Sequence, residues 1–104
     1  MLKINTKFQD GIMFIRLDGI LCKSEVYKFK KEVTNIIRDN KISKVVFNFS
    51  NLKYIDKYGM NILLQTNELN DKSLICNASK YLSDKLKRYK FIIAKNELEA
   101  LKVC

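Results

Sequence analysis

The sequence contains no histidine, proline or tryptophan. Without histidine there is no imidazole base, no Ser-His-Asp triad and no histidine ligand for a metal. Glycine is scarce as well, and the three glycines do not form a glycine-rich phosphate loop. The aspartates fall singly in predicted turns and helix caps. The sequence therefore predicts a protein that is not an enzyme and that uses neither a metal nor another cofactor.

Cysteine is also sparse, since Cys22, Cys76 and Cys104 are far apart and form no C-x-x-C pair. Neither a zinc site nor a thioredoxin-type site is indicated. Cys76 lies in an apolar run, and we expect it to be a small core residue. The sequence lacks an export signal and any apolar run near the roughly 20 residues that span a bilayer. We therefore expect a cytoplasmic protein without a membrane span or a structural disulfide.

What the sequence has in excess is lysine. Basic residues outnumber acidic ones by 20 to 11, which gives a formal net charge of +9. An AT-rich coding sequence produces such a wealth of lysine, isoleucine and asparagine, so much of the charge can be compositional. Whatever its origin, a charge of this size favours acidic partners.

The chain of 104 residues is long enough for one hydrophobic core and too short for two. Hydrophobic residues make up 47% of it, and we find no repeat, linker or low-complexity run. We therefore expect one globular domain over residues 1–104.

Hydrophobic periodicity predicts the first elements. Apolar and polar residues alternate over residues 2–8, and the turn signal Asp10-Gly11 separates them from an apolar run at 12–17, so a hairpin is predicted. Ser24 is placed to N-cap a helix that ends near residue 40. Residues 44–49 form a near-continuous apolar run, which is typical of a buried central strand.

The second half of the chain alternates between helices and strands. Asp56 is placed to cap a helix, and residues 73–76 follow as a strand after a turn at 70–72. Asn77 or Ser79 is placed to cap the next helix, residues 91–93 form a last strand, and Asn96 opens a terminal helix. The apolar sides of these three helices carry Met60, Leu63, Leu64, Leu82, Leu86, Tyr89, Leu98 and Leu101.

The predicted order of elements is thus ββαβαβαβα. Strands that alternate with helices require a largely parallel sheet with right-handed crossovers, and the opening hairpin adds an antiparallel edge. We therefore predict an α/β fold with a mixed, mostly parallel sheet of about five strands and about four helices.

Residues 51–64 carry a more specific pattern, with Asp56 at a strand-to-helix junction, Gly59 three residues later, and then the pair Leu63-Leu64. This pattern resembles the signature of the STAS domain family, which includes the bacterial anti-sigma factor antagonists. Residues 16–22 are similar to the family's G-x-L-D segment, although Cys22 replaces its acid. The order of elements also matches, so the resemblance covers nearly the whole chain and implies the STAS fold.

The resemblance implies a non-catalytic regulatory domain of bacterial transcription. Its partner would be an anti-sigma factor of the serine-kinase type, which it would sequester so that a sigma factor is released. An accessory or scaffold subunit of a transporter or signalling assembly is the alternative within the family. The oligomeric state stays open. The expected partner-binding residues are Asp56, Lys57, Tyr58, Gly59 and Met60, with Gly19, Cys22 and Ser24 beside them.

Lys57 departs from the family pattern, because the phosphoregulated members have a serine after the aspartate. A phosphate there would lie at the positive end of the helix dipole and would add almost two negative charges to the surface. Lysine has no hydroxyl, so we expect no phosphorylation at this position. Tyr58 offers a neighbouring hydroxyl, but it is one residue further along the chain and on a longer side chain than the serine it would replace. Lys57 is either an exposed drift substitution or a contact to an acidic partner.

A basic nucleic-acid-binding domain is the second alternative, because lysines are interleaved with aromatic residues at 27–31 and 80–90. These aromatic residues fall in step with the apolar sides of the predicted helices, so we expect them in the core. Arginine, which dominates specific base contacts, occurs only three times. We therefore do not expect nucleic-acid binding.

Overall fold

The computed structural model describes residues 1–69, 72–89 and 91–103, with the side chains of Lys72 and Val103 left out. Residues 70 and 71 of the predicted turn, and also Cys104, lie outside this part. Five strands form one sheet in the order β1-β2-β3-β4-β5, in which β1 and β2 are antiparallel and the other neighbours are parallel. The predicted fold class is confirmed.

The opening hairpin consists of β1 (Leu2–Gln9) and β2 (Ile12–Leu21). Asp10 and Gly11 connect them with φ angles of 53° and 78°, and two consecutive left-handed residues match the twist of the flanking strands. The turn is therefore the one that the Asp-Gly pair predicts. β2 continues past residue 17, where its predicted run ends, because its second half also pairs with β3.

A continuous helical stretch follows, composed of a 3₁₀ turn (Lys23–Glu25), α1 (Val26–Phe29), a π-helical segment (Lys30–Thr34) and α2 (Asn35–Asp39). The prediction that Ser24 caps this helix is wrong. Ser24 lies inside the 3₁₀ turn, and its hydroxyl contacts the Cys22 sulfur at 3.2 Å instead of a helix amide. In the described chain no side chain caps the start of the 3₁₀ turn or of α1.

β3 spans Lys44–Ile55 and is twice as long as the apolar run at 44–49. In its second half only Leu52 and Ile55 are buried, and this half pairs with β2 through two register shifts, which end with Leu21 beside Ile55. The sequence predicts a strand only over the apolar run at 44–49. Pairing with β2 decides the conformation of residues 50–55.

The remaining elements are α3 (Lys57–Asn67), β4 (Lys72–Cys76), α4 (Lys80–Lys87), β5 (Ile92–Ala94) and α5 (Glu97–Val103). Ser79 caps α4, since its hydroxyl accepts the amide of Leu82 at 3.3 Å. The side chain of Asn96 accepts the amide of Glu99 at 2.9 Å. Both caps were predicted.

The two faces of the sheet are covered differently. The larger core lies between the sheet and the helices α1 to α4, and it contains the stacked rings of Phe29 and Phe47, whose centroids are 6.1 Å apart. A smaller cluster on the other face includes Cys76 and Ala100 of α5. Cys76 is fully buried in the core, as predicted. This burial raises the pKa of its thiol to about 11. The predicted apolar side of α5 is wrong, because Leu98 and Leu101 are exposed.

Candidate functional site

Asp56 connects two segments at the carboxyl end of the sheet. One of its carboxylate oxygens accepts the backbone amide of Gly59 at 2.8 Å and caps α3, as predicted. The other accepts the backbone amide of Lys23 at 3.0 Å. Asp56 therefore caps α3 and also holds the turn after β2. It brings together the two predicted segments of the site, residues 19–24 and 56–60.

These hydrogen bonds determine the charge state of Asp56. Desolvation by itself raises the pKa of the carboxyl, but the backbone amides of Gly59, Lys23 and Tyr58 outweigh it and lower the pKa from its usual value of 3.8. Asp56 is thus ionised at neutral pH, with its oxygens engaged by the backbone. Its role in the site is to position Lys23 and α3.

Gly59 and Met60 lie beneath the surface. A Cβ added to Gly59 would be 2.2 Å from the carbonyl oxygen of Leu21, so the absent side chain makes room for the end of β2. Met60 is only 2% exposed and belongs to the larger core. The close approach that Gly59 permits is therefore made within the chain, to the end of β2. Of residues 56–60, Lys57 and Tyr58 are the exposed ones.

Gly19 also has a structural role. It lies within β2, pairs with Leu2 and Leu52, and has a φ of 113°. A Cβ on Gly19 would be 2.1 Å from the carbonyl oxygen of Met1. Gly19 is thus part of the sheet. Cys22 is half-buried and Ser24 is exposed, and both flank the amide of Lys23 that Asp56 holds.

The exposed part of the site centres on Tyr58, whose side chain is 40% exposed. The ammonium of Lys23 lies 5.1 Å from the centroid of its ring, and the ammonium of Lys57 lies 5.2 Å from it. Both distances are within the range of cation–π attraction. We call Lys23, Lys57 and Tyr58 the Tyr58 cluster. Lys23 belongs to the loop at 19–24 that was expected beside this face, but it was not named as a contact residue. The hydrogen bond of its amide to Asp56 holds it here.

An open groove of about 520 Å³ runs beside this cluster, between the first helical stretch and α3. The apolar side chains of Val26 and Ile62 contribute to it, and Lys30 adds a further positive charge. Its lining consists of Lys23, Val26, Tyr27, Lys30, Tyr58, Asn61, Ile62 and Gln65. The lining is thus partly basic and partly apolar.

Among the residues described, no group of three or more cysteine, aspartate and glutamate side chains is arranged to hold a metal ion. No helix within residues 1–69, 72–89 and 91–103 is long and apolar enough to cross a membrane.

Comparison with known proteins identifies the family. The family model of the STAS domain matches residues 3–96, which is nearly the whole chain. The chain belongs to the STAS domain family. Among curated proteins, none matches this STAS domain significantly.

Solved structures share the fold of this STAS domain at low sequence identity. The anti-sigma factor antagonist SpoIIAA in its unphosphorylated form is 18% identical, with a TM-score of 0.77 over 98% of this chain and 96% of that one. The phosphorylated form of SpoIIAA, a Bacillus cell fate determinant, is 16% identical, with a TM-score of 0.76 over 98% and 100%. An anti-sigma factor antagonist from Mycobacterium paratuberculosis is 14% identical, with a TM-score of 0.81 over 99% and 93%.

Proposed function

We propose that this chain is a single, non-catalytic, cytoplasmic STAS domain that binds an anti-sigma factor of the serine-kinase type and thereby releases a sigma factor. The exposed Tyr58 cluster at the start of α3 carries the proposal. It presents one aromatic ring and two ammonium groups, and a half-exposed tyrosine is a favoured contact residue in protein interfaces. The structural similarity to anti-sigma factor antagonists supports this kind of partner.

We further propose that phosphorylation of the residue after Asp56 does not control this binding. Lys57 has no hydroxyl, and its ammonium lies over the ring of Tyr58. The positive charge is mildly unfavourable at the first position of a helix, by about 0.3–1 kcal/mol at most. A contact to an acidic partner offsets that cost, and the binding state then depends on partner concentration rather than on a phosphate.

A reconstitution tests this proposal. The purified chain is mixed with the serine-kinase anti-sigma factor of its own cell, the sigma factor and ATP, and the complexes are separated by size. We expect the sigma factor to be released while the intact mass of the chain stays constant. The variant Lys57→Ser is the matched control, and it should gain one phosphate. A phosphate on the unmodified chain at or near Tyr58 would contradict the proposal that phosphorylation does not control binding. Failure of the chain to bind the anti-sigma factor would contradict the proposed partner.

Nucleic-acid binding is a second candidate, because the expected burial of the aromatic residues was partly wrong. Phe29 is buried, but Tyr27, Tyr81 and Tyr89 are exposed beside lysine-rich helices. Titration with single-stranded DNA at two salt concentrations separates the candidates. A nucleic-acid binder loses affinity steeply with salt, because each lysine on a phosphate releases a counterion.

A further inference from the structure

A second aromatic and basic group lies on the other side of the Asp56 cap. Lys85 of α4 donates from its ammonium to the carbonyl oxygen of Ile55 at 3.0 Å and to the hydroxyl of Tyr81 at 3.3 Å. The same ammonium lies 5.7 Å from the ring centroid of Tyr54 and 5.4 Å from that of Tyr81. We call Tyr54, Tyr81 and Lys85 the Lys85 cluster.

This cluster orders two tyrosines without burying them. Tyr54 is 46% exposed and Tyr81 is 49% exposed, while the ammonium of Lys85 is held by the contacts of the cluster. Holding a long lysine side chain in one conformation costs rotamer entropy. The hydrogen bond from Lys85 to the carbonyl oxygen of Ile55 does not by itself require the two tyrosines. Two tyrosine rings that are fixed in place at the surface suit a contact with another protein, because little further entropy is lost on binding.

The two clusters adjoin. Ile55, whose carbonyl oxygen Lys85 contacts, immediately precedes Asp56, and Tyr58 follows two residues later. The two clusters are therefore linked through residues 54–58, at the end of β3 and the start of α3. Together they present three half-exposed tyrosines, and within the described chain the charged groups over their rings are the ammoniums of Lys23, Lys57 and Lys85.

We propose that the Lys85 cluster is the second half of the partner-binding face, and that the partner is a protein that presents carboxylates opposite both clusters. This inference rests on the proposed function and names the chemistry of the surface that the partner brings. Carboxylates accept hydrogen bonds from ammonium and phenol groups, and these charge-assisted bonds are stronger than neutral ones. The tyrosine rings supply the apolar contact area.

The composition of this face favours an acidic protein over a nucleic acid. The side chains that form the two clusters are lysines and tyrosines, whereas arginine is the residue that binds phosphates and base edges in two-pronged fashion. The net charge of +9 adds long-range attraction to an acidic surface.

Alanine variants of exposed tyrosines test the proposal by titration with the anti-sigma factor. Tyr81→Ala should weaken binding on the order of tenfold, as loss of an interface anchor does. Tyr89→Ala is the matched control, because Tyr89 is also exposed but lies beyond the other end of α4, and it should change the affinity less than about twofold. Thermal melting should be nearly equal for both variants. If Tyr58→Ala weakens binding and Tyr81→Ala does not, the extended face is refuted while the proposed function stands.

A defined probe tests the face without the natural partner. The chain is titrated with a glutamate-rich peptide, and backbone amide shifts are followed by NMR. We expect shifts around Tyr54, Tyr81 and Tyr58, which disappear at Tyr54 and Tyr81 in the variant Lys85→Glu. If the anti-sigma factor does not bind the unmodified chain, the proposed function fails and these shifts alone decide the inference. Shifts confined to the Tyr58 cluster, or tighter binding of single-stranded DNA than of the peptide at equal salt, would overturn it.

Discussion

The carboxylate of Asp56 holds the backbone amide of Lys23 at 3.0 Å, across 33 positions of sequence. The same carboxylate caps α3 through the amide of Gly59. One side chain therefore sets both the start of the helix and the position of a lysine that lies over Tyr58. The site is preorganised by backbone hydrogen bonds rather than by ion pairs.

Replacement of this carboxylate should affect stability. We expect Asp56→Ala to lower the free energy of unfolding by about 2 kcal/mol, because α3 loses its cap and the amide of Lys23 loses its acceptor. Urea denaturation measures the change. Asp56→Asn is the control, since its amide oxygen still caps the helix, and it should lose clearly less. Equal stability of Asp56→Ala and the unmodified chain would show that this carboxylate does not hold the site.

Stability should fall at acidic pH. The pKa values of Asp56 and Glu97 are both lowered in the folded chain from usual values of 3.8 and 4.5, Glu97 mainly by the side-chain hydrogen bond from Arg16. A carboxyl whose pKa is lowered by folding stabilises the fold above its unfolded pKa, and this stabilisation disappears as pH falls through the folded pKa. Stability should therefore be constant near neutrality and decline below about pH 4.5.

Variants assign this decline to particular carboxyls. In the double variant Asp56→Asn with Glu97→Gln the slope of the unfolding free energy against pH below about 4.5 should be clearly smaller. Asp39→Asn is the control, because Asp39 is exposed and pairs with its neighbour Arg38 at the surface. An unchanged slope in the double variant would show that other acids cause the decline.

Glu97 should also anchor α5 to the sheet. Both of its oxygens accept from the guanidinium of Arg16 at 3.1 Å, and Asn48 of β3 donates to one of them at 2.8 Å. We expect Glu97→Ala to lower stability by about 1–3 kcal/mol, because Asn48 is buried and would be left without this acceptor. Hydrogen exchange should accelerate first in α5. Glu99→Ala on the same helix is the control, and a similar loss in both variants would contradict an anchoring role of Glu97.

A methyl group at position 59 should be damaging. In Gly59→Ala the Cβ would lie 2.2 Å from the carbonyl oxygen of Leu21, and a backbone atom cannot rotate away. We expect a loss of about 3 kcal/mol and a displaced start of α3, as for an overpacked core. Gly11→Ala is the control, because no atom lies within 4 Å of a Cβ added to Gly11. The strain in this variant comes from the φ of 78° alone. It should cost about 1 kcal/mol, and an equal or larger loss than in Gly59→Ala would refute the close approach.

Lys57→Glu should separate binding from stability. A negative charge at the first position of α3 favours the helix by about 0.3–1 kcal/mol, while the attraction to the Tyr58 ring is lost. The melting temperature should therefore hardly change, but the affinity for an acidic anti-sigma factor should fall. Lys44→Glu, at the opposite end of β3, is the charge-matched control. A drop in melting temperature by many degrees would assign Lys57 a structural role.

Local sequence signals were sufficient for the order of elements, the mostly parallel sheet and three of the caps. The Asp-Gly turn, the cap at Asp56 and the caps at Ser79 and Asn96 depend on residues a few positions apart, so their chemistry can be read directly. The same signals were misleading where a distant strand or helix intervened. Ser24 is of a residue type that favours N-caps, but the turn around it is held by Asp56.

The sequence by itself determined that this chain forms an alternating α/β fold of the STAS family and that Asp56 begins a helix. Periodicity and capping are properties of short segments, and they act before the chain is compact. Only the tertiary structure decided that Gly59 and Met60 lie inside, and that Lys23 and Lys85 reach the rings of exposed tyrosines. Those relationships depend on the register between β2 and β3 and on the packing of α4, which join residues far apart in sequence.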